Sequence, residues 1–140
     1  METTINYMAV IAGAIASMVI GSVWYGPLFG KQWMEIIGVD QSDAEAVKKM
    51  QKSAGLLYAV QFILTLFQVL VLAHLIADTT RVNGVERSLW IWAGFIIPTL
   101  AGALMWTNEP GRKKWSRMII QGGYQLIIFI VFGLLLHFWK

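Results

Sequence analysis

Between one charged side chain and the next, the chain runs uncharged for 28 residues (Thr3 to Gly30), 25 (Ser53 to Ala77), 21 (Ser88 to Asn108) and 22 (Met118 to Trp139). An α-helix rises about 1.5 Å per residue and the hydrocarbon core of a bilayer is about 30 Å thick, so each window can cross it. Charged residues make up only 14% of the chain, against about 25% in soluble domains, and all of them crowd into the segments between the windows. Water is absent at that depth, so backbone groups must pair within the segment; helices achieve this and lone strands do not. The windows are continuously apolar rather than alternating, which excludes a transmembrane β-barrel. The expectation is an all-α fold: one integral membrane domain, 1–140, with helices over about 4–26, 53–77, 88–108 and 118–139.

The first window lacks a basic leading segment, with Glu2 the only charge before it, and it exceeds the length of a signal-peptide core. It is therefore expected to remain in the mature protein. The absence of Cys removes disulfides, thiolate nucleophiles and Cys-ligated metals together. A formal net charge of +3 would admit nucleic acid, but the cations lie in short segments beside apolar spans, where topology and lipid headgroups account for them. No nucleic-acid partner is expected.

Orientation follows from the basic residues. Lys31, Lys48, Lys49 and Lys52 in the first loop and Arg112, Lys113, Lys114 and Arg117 in the third oppose Arg81, Arg87 and Lys140 on the other side. By the positive-inside bias, loops one and three face the cytoplasm and both termini face outward, in a plasma or inner membrane. Trp24, Trp33, Trp106 and Trp115 then fall at the inner boundary and Trp90, Trp92 and Trp139 at the outer one, as interfacial belts do. The cluster Arg112, Lys113, Lys114 and Arg117 is expected to meet anionic headgroups, at about 1 kcal/mol of attraction per cation.

In the first loop, Pro27 should stop helix one. Phe29, Trp33, Ile36 and Ile37 then form an apolar stripe over about 28–38, which reads as a short amphipathic helix lying in the interface. Ser42 and Glu45 have capping-box spacing, and the helix they start can run through Lys48, Lys49 and Lys52 into the second span. Asn83-Gly84 and Pro110-Gly111 are turn signals. Trp24 and Trp33 share their nine-residue spacing with Trp106 and Trp115, a weak repeat that belts alone can produce.

Within the spans, Ala9, Gly13, Ser17 and Gly21 form a small-residue stripe of the kind that lets helices approach closely. Its partner is either another helix of the chain or a second copy. Gly94, Pro98 and Gly102 are expected to act similarly in helix three, with Pro98 kinking it. Helix two carries Tyr58, Gln61, Thr65 and Gln68 on one face, and helix four carries Gln121, Tyr124 and Gln125. Ser17, Gln61, Thr99 and Gln125 lie about eight residues from the inner boundary, ~12 Å deep, so a polar layer of Gln61, Thr65, Gln68, Thr99 and Gln125 is expected. It serves either as interhelical hydrogen-bonding glue or as the lining of a solute path.

Catalytic signals are lacking. His74 and His137 have no accompanying carboxylate or thiol, no Asp, Glu, Lys or Arg sits within a span, and nothing sets a nucleophile beside a base. An enzyme would have to work at the boundary, with Glu35, Asn108 or Glu109. No cofactor and no enzymatic activity are expected.

The segment GSVWYGPLFGKQWMEIIG resembles the signature of family 1761 of the domains of unknown function, which are small polytopic membrane proteins. The resembling positions are Trp24, Tyr25, Pro27, Leu28, Phe29, Gly30 and Trp33, with Asn6 ahead of them and Asn108-Glu109 and Gly123-Tyr124 after. Where that family commonly carries Asn, this chain has Gln121. The resemblance implies a four-helix membrane fold and supplies no catalytic residue. Two functional readings follow: an assembly protein, as a homo-oligomer or accessory subunit, motivated by the small-residue stripe; or an oligomeric carrier or channel for a small neutral or hydrophobic solute.

Overall fold

The computed structural model describes residues 4–77 and 83–139. The described residues form six α-helices, α1 (Tyr7–Val23), α2 (Gly30–Ile37), α3 (Ala44–Ala77), α4 (Gly84–Ile91), α5 (Ile97–Met105) and α6 (Gly111–Phe138), of which all but α2 make up four spans. Residues Trp24–Leu28 continue α1 as a π-helical turn, and Trp92–Ile96 join α4 to α5 in the same way. The four stretches long and apolar enough to cross a membrane are Tyr7–Leu28, Ala44–Ala77, Gly84–Met105 and Gly111–Phe138. Among the described residues there is no strand. The protein is a four-helix integral membrane protein with a short helix between its first two spans. Arg81 and Lys140, which entered the orientation count, lie outside the described residues.

The first span begins later than its uncharged window and the other three begin earlier, because local capping and turns, not charges, set their ends. Asn6 accepts from the N–H groups of Met8 (3.0 Å) and Ala9 (3.2 Å) and donates to the carbonyl of Trp139, which ties the start of α1 to the end of α6. α3 starts at Asp43 rather than at a Ser42–Glu45 box: the Asp43 carboxylate accepts from Glu45 N–H (3.1 Å) and Ala46 N–H (3.3 Å), while Ser42 donates to Asp40. Asn83 is not the first residue of a turn but the cap of α4, accepting from Glu86 N–H (3.0 Å).

Pro27 does not stop the first span. A proline removes one N–H and crowds the carbonyl four residues back, and the wider π turn that carries Phe29 N–H to Trp24 O (2.9 Å) accommodates it. Pro98 follows the second π turn, at the start of α5. Gly38, at φ +80°, closes α2 in the left-handed conformation, with Val39 N–H returned to Met34 O (2.9 Å).

Each span packs against α6. Its buried residues Tyr124, Ile128, Phe129, Phe132 and Leu136 form the core with Ala9 and Val10 of α1 and Val69, Leu72, Ala73 and Ile76 of α3. Of the small-residue stripe, Ala9, Gly13 and Ser17 are buried. A Cβ on Gly13 would stand 3.2 Å from Val69 and 3.4 Å from Phe132, and one on Gly21 3.2 Å from the Tyr124 hydroxyl. The stripe therefore faces α3 and α6 of its own chain.

In the third span the expected contact residues are not the ones used. A Cβ on Gly94 or Gly102 would meet nothing within 4 Å, and Pro98 is exposed. The close approach lies one end further along. A Cβ on Gly84 would be 2.8 Å from Gly133 O, and one on Gly133 would be 2.8 Å from both Val85 Cα and Ser88 Oγ. Gly84 and Ser88 have the four-residue small spacing of a helix-packing motif, but the uncharged window opens only at Ser88 and hides it.

Candidate binding cleft

α3 is held asymmetrically. All of its buried residues, Thr65, Val69, Leu72, Ala73 and Ile76, lie in its second half, packed on α1 and α6. Its first half, through Leu64, buries nothing, and α3 makes no more than marginal contact with α5. A cavity of about 820 Å³ fills the resulting space. Its walls are α1 at Met18 and Tyr25, α2 at Trp33 and Ile37, α3 at Leu57 and Gln61, α5 at Thr99 and Leu100, and α6 at Gln121 and Tyr124. A second cavity of about 430 Å³ continues towards the ends of α3 and α6, between Leu64, Phe67, Leu75, Ile91 and Phe129.

Gln61, Gln68 and Gln125 line both cavities and so stand at their junction. No charged side chain lines either. Gln61 donates to the Thr65 hydroxyl (3.1 Å) one turn on. Gln125 Oε1 is buried with no hydrogen-bond partner. In a low-dielectric interior an unpaired carbonyl is costly, about 1–3 kcal/mol.

The expected polar layer is divided. Gln61, Gln68, Thr99 and Gln125 surround the cleft, but Thr65, 1% exposed, lines neither cavity and accepts the hydrogen bond from Gln61. Ser17 donates to Ala14 O (2.7 Å), while its own carbonyl accepts the Tyr124 hydroxyl (2.9 Å).

The aromatic segment after α1 builds the wall beside α2. Trp24 donates its indole hydrogen to Ile120 O of α6 (2.9 Å), and its ring stacks at a tilt on Phe29, 4.8 Å between centroids. Tyr25 lies edge-on to both Trp33 (4.9 Å) and Tyr124 (5.3 Å). A Cβ on Gly30 would meet Tyr25 O at 3.1 Å, so a side chain there would press on the turn from the π segment into α2. Trp92, expected at the outer boundary, instead donates to Gly122 O of α6 (3.0 Å). Trp24 and Trp92 each open a π turn, in the sequences WYGPL and WAGFI, and each ties its span to the same turn of α6. Trp106 and Trp115, by contrast, are 84% and 71% exposed, so the pairing of Trp24–Trp33 with Trp106–Trp115 has no structural counterpart.

The cations after α5 differ among themselves. Arg117 pairs with Glu109 and lies 5.7 Å from the centroid of the Trp33 ring. Lys114 donates to Met105 O (3.1 Å), satisfying the end of α5. Arg112 is exposed and Lys113 half-buried. Arg117 thus turns towards α2 rather than outward, and Glu109 is its partner rather than a free base. Asn108 is exposed. His74 bonds Leu70 O (2.8 Å) and His137 accepts from Gly84 N–H (3.4 Å), so each ring has a local structural role. Among the described residues no group of three metal-ligating side chains occurs.

These features define a small four-span membrane protein with an uncharged cleft between its second and third spans. The chain belongs to the family described as Protein of unknown function (DUF1761), whose profile matches residues 8–137. Neither the curated proteins nor the solved structures contain a match. Asn6 caps α1, the aromatic segment folds the α1–α2 corner, Glu109 holds Arg117, and Gly123 lies against Trp24, where a Cβ would stand 3.0 Å from the ring. Several positions that resemble the family signature thus make structural contacts, and Tyr25, Trp33 and Tyr124 among them also line the cleft.

Proposed function

We propose that the protein binds and carries a small uncharged solute, largely apolar with one polar group, along the seam between α3 and α5. The observation that carries this reading is the pair of adjoining uncharged cavities beside α3, at whose junction Gln61, Gln68 and Gln125 converge. Ligand sites are typically cavities of about 300–1,000 Å³ with apolar walls and a few convergent polar groups, and the larger cavity has that character. The absence of charge from its walls favours a neutral ligand, because an ion there would lose its hydration without a counter-charge. No covalent step belongs to this reading.

The assembly reading loses its motive, because the small-residue stripe is occupied by α3 and α6 of the same chain. In the orientation we propose, α2 and the residues joining α5 to α6 face the cytoplasm, supported by the basic residues of 31–52 and 112–117. Arg112 and Lys113 are then the cations presented to anionic headgroups.

Native mass spectrometry of the protein released from its own membranes tests the proposal. The expected spectrum carries a reproducible small-molecule adduct at one per chain, diminished by Gln61→Leu with Gln125→Leu. An adduct-free wild-type chain, or an adduct indifferent to both substitutions, would overturn it.

A further inference from the structure

Resting on the reading of this cleft as a ligand site, we infer that α2 is its movable end wall and that Arg117, which lines neither cavity, is the latch that sets the wall through Trp33. Trp33, Met34 and Ile37 of α2 line the larger cavity together with Met50, Ser53 and Ala54 of α3. α2 packs on α6 and on the π turn after α1, and makes no more than marginal contact with α3 or α5. The wall is therefore fastened on one side alone, and its other side is the one that lines the cleft.

The fastening converges on one ring. The Trp33 indole meets Tyr25 edge-on, 4.9 Å between centroids, and the Arg117 guanidinium stands 5.7 Å from the indole centroid, within the range of a cation–π contact. Arg117 is in turn paired with Glu109, which follows α5. The two side chains are 20% and 26% exposed, so water reaches both charges and can hydrate them when the pair opens; a pair sealed in the core has no such release. The chain around α2 also lets it turn as a unit. The segment after it is folded back where Gln41 Nε2 donates to Lys31 O (3.0 Å), and Gly38 makes that turn at φ +80°. Ahead of it the helical dihedrals break at Phe29 (φ −122°, ψ 14°), which is where the wall can pivot on the first span.

The chain has no cysteine, so a single one can be placed in the cleft and its reaction rate followed. The test uses the full chain carrying Thr99→Cys in phosphatidylcholine nanodiscs, with a charged methanethiosulfonate as a water-borne probe that does not enter hydrocarbon. Thr99 lines the cleft from α5. Arg117→Met is expected to speed the modification about ten-fold, the ratio to which ~1.4 kcal/mol converts, and Glu109→Gln by less. Arg117→Lys should fall between wild type and Arg117→Met, because lysine keeps the charge and loses the flat face over Trp33. Trp33→Leu should also speed it and leave Arg117→Met with no further effect, which a general loosening of the fold would not do. Ala14→Cys, buried in the core, should stay unreactive in every background and so separates movement of the wall from unfolding. Rates unchanged by Arg117→Met and Glu109→Gln, or a wild-type rate already equal to that of the exposed Gln51→Cys, overturn the inference. Reaction at Ala14→Cys in both variants overturns it as well, since these residues then hold the fold rather than the wall. No ligand enters this measurement. Unchanged rates beside a persisting small-molecule adduct overturn the wall and keep the ligand site, whereas quickened rates in a chain without an adduct keep the wall and overturn the site.

Discussion

The indole N–H of Trp24 reaches the carbonyl of Ile120, 2.9 Å away, and so joins the end of the first span to the fourth. Trp92 makes the matching bond from the third span to Gly122, at 3.0 Å. Phenylalanine keeps most of the ring but has no hydrogen to donate. Trp24→Phe and Trp92→Phe should each destabilise the fold by about 0.5–1.5 kcal/mol, and the pair additively or slightly more, because the acceptors are neighbours on α6. Steric-trapping measurements of unfolding in bicelles would read these differences.

Gly133 and Gly94 provide a matched contrast in glycine substitution. A methyl group on Gly133 would sit 2.8 Å from the Val85 backbone, whereas one on Gly94 meets nothing within 4 Å. Gly133→Ala should cost about 1–3 kcal/mol as α4 is pushed off α6. Gly94→Ala should be neutral or gain up to ~1 kcal/mol from helix propensity. Thermal denaturation of the two variants in the same detergent should move the transition in opposite directions or move it only for Gly133→Ala.

Removing the unpaired carbonyl should strengthen the empty protein. Gln125→Leu replaces a buried orphan acceptor with an apolar side chain of similar size, and the expected gain is about 1 kcal/mol in ligand-free protein. Melting curves of the wild type and the variant would register the gain; a destabilised variant would mean that the oxygen is already bonded.

Arg117 and Glu109 hold the residues after α5 against α2, with Trp33 under the guanidinium. Both side chains are partly exposed, so the pair contributes less than a fully buried one, about 1–2 kcal/mol. Arg117→Ala and Glu109→Ala should each cost more than half of what Arg117→Ala/Glu109→Ala costs, because each single change strands a charge. Arg117→Lys should rescue only part of the loss, since a lysine keeps the charge but not the flat face over Trp33. A double-mutant cycle on unfolding free energy would separate the coupling from the single effects.

Asp40, in the segment between α2 and α3, accepts the Ser42 hydroxyl (2.6 Å) and the Ser42 N–H (2.9 Å). These bonds, the hydroxyl first, hold its carboxyl below the ordinary carboxylate value. Because the folded-state value is depressed, the contribution is present at neutral pH and fades as pH falls through that lowered value. Ser42→Ala should raise the Asp40 midpoint, as carbon-detected NMR of the side-chain carboxyl would record.

The spans were readable because charge exclusion from hydrocarbon is a coarse, strong rule that needs only residue type. That Gln61 and Gln125 line one cleft was readable in outline, since both depths follow from counting turns. Thr65 was not separable from Gln61 in this way: three or four residues apart on one helix share a face, and only the packing of α1 decides which of them is covered. The Gly84–Gly133 crossing was missed because Glu86 and Arg87 placed Gly84 outside the apolar window, although helices continue past the membrane edge. The indole bonds of Trp24 and Trp92 were hidden by a reasonable prior, that tryptophan near a span end anchors to the interface. Which way an indole points depends on the π turn beneath it, and a single sequence carries little signal for that backbone register.

The one-sided anchoring of α3 has a mechanical consequence. Fixed between Thr65 and Ile76 and unsupported from Ala44 to Leu64, it is a beam clamped at one end, with about 30 Å of free length. The deflection of such a beam under a given load grows steeply with its length, so the cheapest deformation of this protein is a swing of the α3 arm. Gln61 sits close to the clamp and hardly moves in that swing, while Leu57 and the stretch towards Lys48 sweep progressively further. The width of the cleft is thus an elastic variable, set by the lateral pressure and thickness of the surrounding bilayer and by whatever pulls on the lysines at the tip, while the polar groups at its inner end keep their spacing.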